Sequence, residues 1–96
     1  MTYVEEYNYW INNLKFSKSK LNKDLYVRHC MSVYGTQVIK FSKDQYGNSL
    51  HRLDGPARIY SDGTVEFWID AVYYDYKKFL LHPKVLESKL NQIISL

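Results

Sequence analysis

The stretch Pro56-Ala57-Arg58-Ile59-Tyr60-Ser61-Asp62-Gly63-Thr64-Val65-Glu66-Phe67-Trp68-Ile69-Asp70-Ala71-Val72-Tyr73-Tyr74 decides the fold. Apolar and polar residues alternate on both sides of Ser61-Asp62-Gly63, the period of half-buried strands separated by a turn. The register follows from the loop that keeps the two faces separate. With a three-residue loop, Gly63 takes the left-handed position of a bulge. Tyr60 then faces Thr64, Ile59 faces Val65, Arg58 faces Glu66 and Ala57 faces Phe67. One face becomes wholly apolar: Ala57, Ile59, Val65, Phe67 and Ile69. The other gains an Arg58–Glu66 cross-strand pair worth a fraction of a kcal/mol. A two-residue loop at Asp62-Gly63 would set Ile59 against Glu66 and Arg58 against Phe67, and such a slip exposes half the core. A second turn at Asp70-Ala71 pairs Ile69 with Val72, Trp68 with Tyr73 and Phe67 with Tyr74. The apolar face continues through Val72 and Tyr74, while the opposite face gathers Tyr60, Trp68 and Tyr73 around Arg58 and Glu66.

Before this unit the chain changes character twice. Thr2 followed by Glu5 has capping-box spacing, and Val4, Tyr7, Ile11 and Leu14 recur at helical steps with Trp10 beside them, so a helix is expected over about 3–14. Lys15, Lys18, Lys20 and Lys23, interspersed with serine and asparagine, read as a solvated connector or as a basic contact strip. From Leu25 onward strands and tight turns alternate. Tyr34-Gly35 and Gly47-Asn48 mark turns, Gln37 to Phe41 reads as a strand, and Ser42 to Leu53 reads as a polar surface loop.

After the hairpins the chain closes in helix. Asp75 is placed to cap a short turn holding Phe79 and Leu80. His82-Pro83 puts proline at a first helical position. Val85, Leu86, Leu90, Ile93 and Ile94 form one stripe that must be covered by the sheet or by a second copy of the chain. Strands flanked by helices imply an α+β domain with three to five antiparallel strands. The 96 residues suit one domain spanning 1–96.

Composition narrows the function. Ten Tyr, four Phe and two Trp exceed the needs of a small core, which suits either an interaction surface or strand-rich structure. A net charge of +3 is low for a dedicated nucleic-acid binder of this size. Arginine occurs only at Arg28, Arg52 and Arg58, so bidentate phosphate recognition is thinly supplied. The lone Cys30 forms no intramolecular disulfide and fits a reducing cytoplasm. No basic-then-apolar leader begins the chain and no apolar run reaches membrane-spanning length.

The residues His51-Arg52-Leu53-Asp54-Gly55-Pro56-Ala57, then Ser61-Asp62-Gly63, then Phe67-Trp68 and a turn before Tyr73-Tyr74, resemble a β-repeat of the form H-R-x-D-G-P-A, D-G, W-x-x-G. Such repeats occur in small proteins of large tailed bacteriophages, and the hairpin resembles MORN repeats. The resemblance covers roughly residues 47–85, with one clear copy. Val38 to Leu50 is a candidate degenerate one. The chain departs from the pattern at Ala71, where glycine is preferred. The resemblance implies a phage accessory protein acting in the bacterial cytoplasm.

Candidate chemistry is sparse. His51, Arg52 and Asp54 bring together a base, a cation and a carboxylate, but Asp54-Gly55-Pro56 also has the chemistry of a structural turn leading into a strand, as do Asp62 and Gly63 at the next corner. His29 and Cys30 are strand neighbours and point to opposite faces, so the imidazole is not placed to activate the thiol, which is expected to be buried and inert. His29, His51 and His82 lack metal-ligand spacing. Neither a catalytic constellation nor a cofactor is expected. Arg58, Tyr60, Trp68 and Tyr73 are the candidate partner-binding residues, unless a terminal helix covers them as a second core. The expected function is non-enzymatic binding of a protein partner, a host defence factor in the phage setting, by a monomer or homodimer. Nucleic acid, bound by the lysine strip and stacked rings, is a rival, and so is a small molecule such as a nucleotide.

Overall fold

The computed structural model describes residues 1–14, 18–20 and 25–94. Its elements run α1 (Tyr3–Asn13), β1 (Lys18–Lys20), β2 (Tyr26–Met31), β3 (Gln37–Ser42), β4 (Arg58–Tyr60), β5 (Val65–Ile69), β6 (Val72–Tyr74), α2 (Tyr76–Leu81) and α3 (Pro83–Ile94). Each strand pairs antiparallel with the next, giving a six-stranded meander flanked by helices, an α+β fold. The meander exceeds the expected strand count because β1 forms within the lysine-rich segment read as a connector. Lys15 and Lys23 lie outside the described residues.

The central hairpin adopts the register that separates the faces. Arg58 lies opposite Glu66 and Ile59 opposite Val65. Gly63 has φ +90°, and the Tyr60 amide bonds to the Thr64 carbonyl at 2.9 Å. The ladder stops one pair short of Ala57–Phe67, because the Ala57 amide bonds to the Glu66 carbonyl instead. At the next turn Asp70 and Ala71 have φ of 51° and 66°, the left-handed pair of a type I′ turn. Ala71 adopts this geometry although it carries a Cβ. Its amide is anchored on the Leu50 carbonyl at 2.8 Å, and the Asp70 amide on His51 Nδ1 at 3.0 Å.

All three helices lie on one side of the sheet. α1, capped by Thr2 and Glu5 in a capping box, buries Tyr7 against Val27, Ile39, Phe41 and Ile59, with Trp10, Ile11 and Leu14 beside them. Val4, expected on that apolar face, is exposed at the rim, although its Cγ2 would lie only 2.9 Å from a Cβ on Gly63. On the same face Phe79 of α2 and Val85 of α3 pack on Phe67 and Ile69.

Three further expectations change. Ser42 to Leu53 is not simply a surface loop: Ser42, Leu50 and Arg52 are buried. Non-local pairing draws the segment in, with the His51 amide on the Phe41 carbonyl and the Arg52 amide on the Trp68 carbonyl. Nor does the sheet cover the α3 stripe. Val85 is buried, but Leu86, Leu90 and Ile93 are 50%, 55% and 67% exposed. Along the helix from Val85, half-buried Ser88 and exposed Gln92 line a groove of about 260 Å³ shared with Tyr3, Leu53, Pro56 and Phe67. Polar residues there do not close on the sheet, so the aliphatic stripe, about a quarter-turn round the helix, faces away. Val72, expected to extend the core face, is also exposed, because the sheet ends at β6.

Candidate binding face

Strand alternation puts Arg28 and Cys30, Val38 and Lys40, Arg58 and Tyr60, Glu66 and Trp68, and Tyr73 on the face opposite the helices. The four residues singled out from the sequence come together there. Arg58 Nη1 donates to Glu66 Oε1 at 3.2 Å and to the Tyr60 hydroxyl at 3.4 Å. The Tyr60 hydroxyl donates to Glu66 Oε2 at 3.2 Å, and Trp68 Nε1 to Glu66 Oε1 at 2.9 Å. The Tyr73 ring meets Trp68 edge-on at 5.7 Å, and the Arg58 guanidinium lies 5.4 Å from the Trp68 ring centre. Glu66 is thus the shared acceptor that fixes three donors. No helix among the described residues covers the cluster: Arg58, Tyr60 and Trp68 are half-buried and Tyr73 is exposed. Because Arg58 and Glu66 each keep 28% of their side-chain surface in solvent, their ion pair contributes about 0–1 kcal/mol.

Two loops border the face. The β2–β3 turn is held by the Ser32 amide on the Thr36 carbonyl at 2.7 Å, and by Ser32 Oγ accepting from the Tyr34 and Thr36 amides. It presents Val33 and Tyr34 almost wholly to solvent. The loop after β3 is braced by the Asp44 carboxylate, which accepts from the Asn48 and Ser49 amides. It lays Gly47 near the methylenes of Lys40 and Arg28, while Arg28 Nη1 donates to the Tyr46 carbonyl at 3.1 Å. The placement of both loops depends on strand pairing rather than on local sequence.

The His51–Ala57 motif lies elsewhere, at the junction of the sheet and α1. Arg52 is buried there: Nη1 meets Glu6 Oε2 at 2.8 Å and the Pro56 carbonyl at 3.2 Å, Nε meets Asp54 Oδ1 at 2.8 Å, and the guanidinium lies 4.1 Å from the Phe41 ring centre. Gly55 has no left-handed φ; a Cβ there would stand 2.9 Å from Arg52 Cζ, so glycine makes room for the guanidinium. Burial, then Lys43, pushes the His51 imidazole below its ordinary pKa. That agrees with Nδ1 accepting from the Asp70 amide, so the 3.5 Å approach to the Asp70 carboxylate is not an ion pair at neutral pH. Asp70 is paired with Lys43 and Lys84, which hold its carboxyl far below the usual carboxylate range.

Cys30 is half-buried on the helix-free face rather than fully buried, and His29 sits on the other face with Nε2 3.3 Å from Gln37 Oε1. Among the described residues no group of three His, Cys, Asp or Glu is placed to hold a metal ion, and no helix is long and apolar enough to cross a membrane. Comparison with protein-family models, curated proteins and solved structures finds no match.

Proposed function

We propose that this chain is a non-enzymatic protein-binding module whose docking surface is the helix-free face of the sheet. One observation carries the reading: all the helices pack on the opposite face, so Arg58, Tyr60, Trp68 and Tyr73 stand together with access to solvent. Tyrosine, tryptophan and arginine are the residues in which interface hot spots concentrate. The Glu66 network fixes Arg58, Tyr60 and Trp68 before any partner arrives, which lowers the entropy cost of docking. The phage-repeat resemblance of His51 to Tyr74 supplies a setting, a phage accessory protein that occupies a host factor such as a defence component in the bacterial cytoplasm.

The test is capture from nuclease-treated bacterial lysate by the wild-type chain and by Trp68→Ala and Tyr73→Ala variants. A protein retained by the wild type and weakened about thirtyfold or more by either variant, with native circular dichroism, is the expected result. Retention unaffected by both variants counts against the face. Nucleic acid is the second reading because Arg28, Lys40 and Arg58 adjoin across the sheet. Loss of capture on nuclease treatment, with a steep fall in binding as salt rises, would select it.

A further inference from the structure

The strand register builds a row of cations across the helix-free face. Arg28 lies opposite Lys40, and Lys40 opposite Arg58; Lys18 extends the row by backbone register. Like charges directly opposite one another destabilise a sheet. The row ends at Glu66, whose carboxylate is already shared among Arg58, Tyr60 and Trp68. Arg28 donates to a carbonyl, and among the described residues neither it nor Lys40 has an ion pair. The neighbouring Asp44 turns its carboxylate onto its own loop backbone. Among the described residues Arg58 commits Nη1 alone, and its buried Nε has no acceptor.

Beside the row, the β2–β3 turn overhangs a recess of about 120 Å³. Buried Val38 forms part of its wall, Lys40, Arg58 and Tyr60 flank it, and Tyr34 stands at its rim. A cavity of this size takes one side chain rather than a nucleobase and its sugar. The rings nearby are poor stacking platforms: Trp68 has the Arg58 guanidinium against it and Tyr73 edge-on, and the Tyr60 hydroxyl is tied to Glu66. We propose, building on the reading of this face as a protein-docking surface, that the row and recess receive the carboxylates of an acidic segment of the partner protein. One aspartate or glutamate enters the recess between Lys40 and Arg58, and apolar neighbours rest on Tyr34 and Tyr73. Charge complementarity is the basis: the row presents cations in excess of its single carboxylate, and the exposed surface beside it is aromatic.

The experiment is a titration of the isotopically labelled full chain, followed by amide and indole NMR signals. Three probes are used: a blocked peptide of alternating glutamate and leucine, the same peptide with glutamine for glutamate, and a short oligothymidylate. The acidic peptide is expected to move the signals of Val38, Lys40, Arg58 and the Trp68 indole, with affinity falling as salt rises. The glutamine peptide and the Lys40→Gln variant are each expected to bind about tenfold more weakly or worse. Lys40→Gln is the chosen variant because it breaks no ion pair within the described fold. Equal binding of the two peptides, no shift at these residues, or shifts with the oligonucleotide alone would overturn the inference. If those failures occur while Tyr73→Ala still abolishes lysate capture, the face docks protein through its aromatic residues and the carboxylate assignment alone falls.

Discussion

The two faces of one sheet are built on the same strands and held by different forces. On the helix side, Val27, Ile39, Phe41 and Ile59 are wholly inaccessible to solvent, and Phe67 and Ile69 nearly so. Burying each contributes roughly 1.5–3 kcal/mol. On the other side, Arg58, Tyr60, Glu66 and Trp68 are half-buried and are organised by hydrogen bonds around one carboxylate. The first face keeps the chain folded. The second is organised by polar contacts and keeps access to solvent, so it is the face that a partner can reach.

Substitution should separate these roles. Ile59→Ala empties a fully buried site and is expected to lower stability in urea by about 2–5 kcal/mol. Tyr73→Ala, at an exposed site, is expected to change stability by about 0.5 kcal/mol or less while abolishing capture. A Tyr73→Ala protein as unstable as Ile59→Ala would mean that both faces are core.

The next effect in size tests the junction between α1 and the sheet. Gly55→Ala forces a Cβ onto the Arg52 guanidinium and is expected to cost about 1–3 kcal/mol. In an Arg52→Ala background the same change should cost much less, because its steric cause is gone. Additive losses in the double-mutant cycle would move the role of Gly55 to its backbone conformation.

Ala71→Gly is expected to stabilise the chain by about 1 kcal/mol, since it removes a Cβ from a left-handed position whose conformation the Leu50 carbonyl already fixes. A loss of stability would show that unfolded-state entropy outweighs the strain.

The smallest effect concerns acid. His51 has its pKa depressed by burial, so the unfolded chain takes up that proton more readily than the folded one. Its contribution is full above the ordinary histidine value of about 6.5 and is lost as pH falls through the lower folded value. Urea midpoints measured between neutral pH and pH ~5 should fall less steeply in His51→Asn, which retains an acceptor for the Asp70 amide without titrating there. An unchanged slope would remove His51 as a source of the acid sensitivity.

The features legible in the sequence were those set by local chemistry. The hairpin register followed from the requirement that Ile59, Val65 and Phe67 share a face, and the α1 start from Thr2 and Glu5. Asp75 does cap α2, accepting from the Lys78 amide at 2.9 Å. What escaped were contacts made at long range. The burial of Leu50 and Arg52 comes from a chain segment threaded between β3 and β5, and the Glu6 partner of Arg52 lies on a helix at the other end of the sequence. The aliphatic spacing of α3 specified an amphipathic helix but not which side faces inward, which Val85, Ser88 and Gln92 decide. The cation row was equally hidden, since Arg28, Lys40 and Arg58 become neighbours only once β2, β3 and β4 are in register.

Docking on the helix-free face is tested most directly by placing a photo-cross-linking amino acid, p-benzoylphenylalanine, at single positions of the chain expressed in bacteria. Tyr34 and Tyr73 probe the helix-free face, and Lys77 and Leu90 are exposed positions on the helical side. A discrete protein adduct, resistant to nuclease, is expected from Tyr34 and Tyr73, and none from Lys77 or Leu90. An adduct from Leu90 with none from the sheet face would contradict this and assign the interaction to the exposed stripe of α3.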